Sequence, residues 1–201
     1  MHLIATALPP SNQDLYLHIR VVIGILVGLC ITTLLSGLAR FVQHPKRQQI
    51  SVLHLGWALV MLIWVIHFWW WEYRLTLVQQ WNFPRYSFVI LYGILLYSLC
   101  TLLFPSDLSD YEGYEDYFIS RRRWFFALRA AAFVADIFDT YMKGPLYLQT
   151  FGAAYPVRIA INLAICGIGM FSENRRVQFA LLAAALIYRV FLIFWLYDIV
   201  G

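Results

Sequence analysis

Arg129, Asp136, Asp139 and Lys143 follow one another at spacings of seven, three and four in a stretch that is otherwise mostly apolar. At about 100° per residue, a helix would bring all four into one narrow sector, with Ala132, Phe133 and Thr140 near the same stripe. Ionisable groups at membrane depth cost several kcal/mol each, so they turn toward protein and pair with one another. Asp139 and Lys143 form an i,i+4 pair of favourable order. Two arginines in later apolar runs, Arg158 and Arg189, balance the two aspartates, and the predicted pairings are Asp139–Arg158 and Asp136–Arg189. An Asp136 left without a partner would be free to carry a proton. The set therefore admits a conduction or coupling site for a proton, cation or small polar solute. It equally admits a structural ladder of ion pairs that locks one helix to its neighbours. A voltage sensor would need an arginine-rich helix, which the chain lacks.

A second group, His54, His67, Glu72 and Arg74, occupies another apolar run and its end. His54 and Glu72 are 18 residues apart, five full turns, and so share a face at opposite ends, whereas His67 lies on another face. The two histidines are the candidate metal or haem ligands. Axial haem ligation would need a facing histidine, for which only His18 and His44 stand nearby, and a copper site has only Met61 to draw on. The alternative is a polar contact for His67, or a proton path that it shares with Asp136. Cys30, Cys100 and Cys166 sit apart inside apolar runs, without zinc spacing, and read as small buried hydrophobes. No nucleophile elbow, P-loop or metal motif is present, so no cofactor and no catalytic residue is expected.

These residues require elements that can hold charge inside lipid. Of 201 residues, 62% are apolar, 18% aromatic and only 13% charged, which excludes an ordinary soluble domain and a disordered chain. The net charge of +4 comes from scattered bases, so no nucleic-acid partner is expected. Six segments are apolar enough to span a bilayer: Leu17–Phe41, Val52–Trp71, Tyr86–Phe104, Trp124–Met142, Tyr155–Phe171 and Val177–Leu196. They lack the two-residue alternation of barrel strands. The expected fold is all-α, a polytopic integral membrane protein with a bundle of six transmembrane helices in one domain over residues 1–201. No secretory signal is read at the N-terminus, and the first run is taken as a retained span.

Lys and Arg counts orient the bundle. The links after spans one, three and five hold Arg40, Lys46, Arg47, Arg121, Arg122, Arg123, Arg175 and Arg176; the other side holds Arg20, Arg74, Arg85, Lys143 and Arg158. Eight against five places both termini outside the cytoplasm of a bacterial-type inner membrane. The one long link, Pro105–Arg123, is acidic then basic; it reads as an amphipathic surface helix with an arginine cluster at the headgroups, and as a possible docking surface for a protein partner. Tyr16, Trp70, Trp71, Tyr73, Trp81, Tyr86, Trp124 and Tyr197 read as interface anchors. That reading of the Trp69-Trp70-Trp71 run is preferred over an aromatic ligand cage. Gly24, Gly28, Thr32 and Ser36 form a small-residue face suited to a neighbouring helix, internal or from a second copy in a homo-oligomer. The function expected is a small channel or transporter subunit; the alternatives are an accessory or sensing membrane protein and a haem- or metal-binding redox protein.

Overall fold

Two helix starts are set by a capping side chain. In the computed structural model, which describes residues 12–44 and 50–200, Ser51 caps α2 (Val52–Trp71) by accepting from the His54 amide at 3.2 Å. Asn82 caps α3 (Phe83–Leu103) in the same way at Arg85, at 3.0 Å, with Pro84 in the first turn where its missing N–H costs nothing. The other helices are α1 (Asn12–Gln43), α4 (Tyr114–Met142), the short α5 (Pro145–Gln149), α6 (Ala154–Phe171) and α7 (Arg175–Val200). No strand occurs among the described residues. All six apolar segments lie on helices. Lys46 and Arg47, used in the orientation count, and the side chain of Tyr197 lie outside what is described.

Four helical stretches have the length and composition to cross a membrane: α1, α2 with its 3-10 extension over Glu72–Leu77, α3 and α6. Their exteriors are apolar. Along α1, Ile19, Ile23, Val27, Cys30 and Leu34 are buried, while Leu17, Val21, Ile25 and Leu29 face outward at four-residue intervals. A helix apolar on both its packed and its open face belongs in lipid. This is the build of an integral membrane protein in contact with a bilayer. α4 differs, because each of its 18-residue windows holds at least three charged residues. Its charged stripe is nonetheless buried.

α2 is the hub, touching α1, α3, α4 and α7, and α4 packs against α3 and α6. Glycines allow the close approaches: a Cβ on Gly37 would meet the Phe104 ring at 2.2 Å, and one on Gly169 would meet Phe126 at 2.4 Å. Of the small-residue face on α1, Gly24 lies against Trp69 of α2, whereas Gly28 has open space where a side chain would go, and Thr32 and Ser36 are exposed.

The long link is shorter than the sequence suggested. Helix α4 begins at Tyr114, so Glu115 to Arg123 belong to it, and only residues 104–113 form the turn. A separate surface helix is not formed, because Tyr114, Tyr117, Phe118 and Arg122 are buried against the bundle. Glu115 accepts from the Ser51 hydroxyl at 3.2 Å and pairs with Arg175 at 2.7 Å, and Arg122 pairs with Glu173. Within the turn, Ser109 donates its hydroxyl and amide to Asp107, holding that carboxyl below its usual range.

Candidate functional site

The charged stripe of α4 meets α2, α3, α6 and α7 near the C-terminal end of α2. The 3-10 turn there tightens the chain as it leaves α2 and directs Glu72 inward, so that it is only 4% exposed. Its Oε1 accepts from Lys143 Nζ at 3.2 Å, and the same ammonium reaches Asp139 Oδ2 at 2.5 Å. Two carboxylates thus share one ammonium. Glu72 Oε2 and Asp139 Oδ1 are buried without a hydrogen-bond partner among the described residues. Lys143 reaches this position because Gly144, at φ +105°, turns the chain immediately after it.

One to two turns earlier on α4, Asp136 accepts from Arg158 of α6 and from the Tyr155 hydroxyl at 3.1 Å. That hydroxyl also lies 3.0 Å from the Asp136 carbonyl, and the Arg158 guanidinium covers the Tyr155 ring at 5.0 Å. Both predicted cross-helix pairings are therefore corrected: Asp136 takes Arg158 rather than Arg189, and Asp139 takes Lys143 rather than Arg158. The reason is register. Arg158 lies in the second turn of α6, level with Asp136, and Asp139 pairs instead with Lys143, one turn on at the end of α4. Asp136 is consequently not unpartnered.

Arg189 of α7 is buried over the Trp64 ring at 5.1 Å and makes no ion pair among the described residues. Around this level the carboxylates Glu72, Asp136 and Asp139 face the bases Lys143, Arg158 and Arg189, three against three. The charges balance in number but not in pairing: a surplus carboxylate remains in the Lys143 triad and a surplus guanidinium at Arg189. Glu72, Asp136, Arg158 and Arg189 all line one small cavity of about 20 Å³, room for a single water molecule, with His67 and Tyr92.

Arg129 is set apart from this network. It is 1% exposed, donates to Asn162 Oδ1 at 3.3 Å and to Cys166 Sγ at 3.6 Å, and is surrounded by Trp57, Trp64 and Phe133 at 5.1, 5.6 and 5.1 Å. Aromatic faces take the place of a carboxylate, each worth up to about 2 kcal/mol when desolvated.

His54 and His67 are not brought together; thirteen residues of helix separate them by about 20 Å. His54 donates Nε2–H to the Leu103 carbonyl at 2.6 Å and stacks on Tyr114. His67 stacks on Trp71 and borders the water-sized cavity. No group of three or more His, Cys, Asp or Glu with metal-binding geometry occurs among the described residues.

No family model, curated protein or solved structure matches this chain.

The cavity wall contains Tyr92 and Trp64, with Tyr155 beside Asp136, which the sequence reading did not single out, and Glu72, which it grouped with His54 and His67 without giving it a role. Glu72 had a readable signal. It ends an aromatic run with Phe68 and Thr76 at i−4 and i+4, so no base on its own helix can neutralise it. Toward the outside, His67 and Glu72 also line a larger cavity of about 380 Å³ between α1 and the end of α2.

Proposed function

We propose that the chain forms a six-span membrane bundle in which α4 and α7 cross alongside the four apolar stretches, and that its ionic network passes protons. The observation that carries this reading is the triad, in which Glu72 and Asp139 share the single ammonium of Lys143. Two buried carboxylates on one base leave a charge that a bound proton or cation has to meet. A proton suits the space better. The cavity joining the triad to Asp136, Arg158, Arg189 and His67 holds about one water, which is enough for a hydrogen-bonded relay and too small for a hydrated cation. His67 and Glu72, bordering both cavities, form the entrance from the outer one. The protein then acts as a small channel or transporter subunit, in a bacterial-type inner membrane with both termini outside.

Two measurements test this. Purified protein in liposomes should dissipate an imposed pH gradient while passing neither sodium nor potassium, and Asp136→Asn should remove that flux with helix content unchanged. Wild-type vesicles that stay proton-tight would reject the reading. Single cysteines at the exposed positions Glu112 and Asn174 should be shielded from an impermeant reagent applied from outside; labelling of both from outside would invert the orientation.

One observation favours a second reading, that of an accessory or sensing protein with a structural ladder. Asp136 is fully engaged by Arg158 and Tyr155, as a locking pair would be. The exposed acids Asp107, Asp110 and Glu112 would then form the docking surface.

A further inference from the structure

The 380 Å³ cavity has the volume of a small-molecule site and a lining that discriminates by charge. Its walls are aromatic: Tyr16 from α1, Trp69, Trp70 and Trp71 from the end of α2, and Tyr73 from the 3-10 turn. Ring faces carry negative quadrupole charge and favour a cation, above all an ammonium that is weakly hydrated. Glu72 adds to this preference, because it lines the same cavity, is buried, and has one carboxylate oxygen that nothing among the described residues satisfies. Arg20 of α1 and Arg74 of the 3-10 turn line the cavity too, but both are exposed, and neither makes an ion pair among the described residues. The site is therefore polarised, with negative character where it is buried and positive character where it opens.

A simple anion would meet the aromatic lining and Glu72, and a simple cation would meet two arginines. A ligand with both charges satisfies both ends. We propose that this cavity binds a small zwitterion, its ammonium among the rings near Glu72 and its phosphate or carboxylate on Arg20 and Arg74, either as a free solute or as the headgroup of a phospholipid. Arginine is suited to the outer role, since its planar fork holds phosphate and carboxylate oxygens in pairs. The site stands independently of proton movement, because it needs only the cavity and its charges.

The test uses full-length protein in maltoside micelles with no ion gradient, so it does not depend on flux. Calorimetric titration should show saturable binding of phosphocholine, with tetramethylammonium alone and inorganic phosphate alone at least tenfold weaker. The variant with both Arg20→Gln and Arg74→Gln, at exposed positions that the fold does not need, should bind phosphocholine at least tenfold more weakly. If the ligand is a lipid headgroup, free phosphocholine will bind weakly, but native mass spectrometry will show phosphatidylcholine retained over phosphatidylglycerol in wild type and not in the double variant. Inorganic phosphate binding as tightly as phosphocholine would overturn the proposal. So would a double variant that behaves like wild type in both arms, or failure of both the free zwitterion and the lipid to bind selectively.

Discussion

Asp136 and Lys143 answer different questions although both are buried on the same stripe of α4. Asp136 and Arg158 are a one-to-one pair, so removing either strands the other in a low-dielectric interior, at a typical cost of about 3–5 kcal/mol. Asp136→Asn and Arg158→Gln should each lower the melting temperature in detergent, and the double variant should recover a large part of the loss. The cycle between Asp136 and Arg189, by contrast, should be nearly additive, since those two do not touch. In the Lys143 triad the signs are unequal. Lys143→Met leaves Glu72 and Asp139 facing each other with no base between them and should be severe. Glu72→Gln removes the surplus charge and keeps an acceptor for Lys143, so it should melt within a few degrees of wild type. Equal losses for Lys143→Met and Glu72→Gln would mean that Lys143 does not mediate between two carboxylates. The stripe itself was legible from the sequence, because a seven, three, four spacing fixes a helix face. The Asp139–Lys143 pair was legible too, from its i,i+4 spacing; the cross-helix pairings were not, because the relative register of α4, α6 and α7 depends on where each helix starts.

The helices of this chain are placed by a few special positions. Gly144 is the clearest: at φ +105° it occupies a backbone region that L side chains rarely adopt, and nothing lies within 4 Å of where its Cβ would be. Gly144→Ala should therefore cost about 1–3 kcal/mol through backbone strain alone. It should also misplace Lys143, so the loss of stability should be larger in wild type than in a Glu72→Gln background; equal losses in both would separate the turn from the triad. The length of the apolar runs located all six long helices, and the end of α2 at Trp71 matches its predicted end. Two short elements escaped it. The 3-10 turn over Glu72–Leu77 follows the apolar run with no Gly or Pro to mark the change, and α5 is only five residues long. The start of α4 was missed for a different reason. Its first turns carry acids and arginines typical of a solvated link, yet Tyr114, Tyr117 and Phe118 anchor them to the bundle.

At the scale of the whole molecule, buried charge is concentrated at one end of the helix assembly, beneath an aromatic cavity that opens outward. The other end is closed by packed rings, with His54 held against Leu103 and Tyr114. Composition alone announced a membrane protein, and the order of the spans already put Glu72, Asp139 and Lys143 toward one end; that Glu72 and Arg189 line one cavity required the structure, because they are far apart in sequence. In a network that passes protons, the surplus carboxylate of the triad is the proton-exchanging group. The most direct measurement is proton flux into liposomes under a fixed pH gradient for wild type, Glu72→Gln and Glu72→Asp, each checked for matching helix content and melting temperature. Glu72→Gln should lose flux at least tenfold, and Glu72→Asp, which keeps a titratable carboxyl, should retain most of it. Glu72→Gln vesicles that conduct protons as fast as wild type would contradict that role.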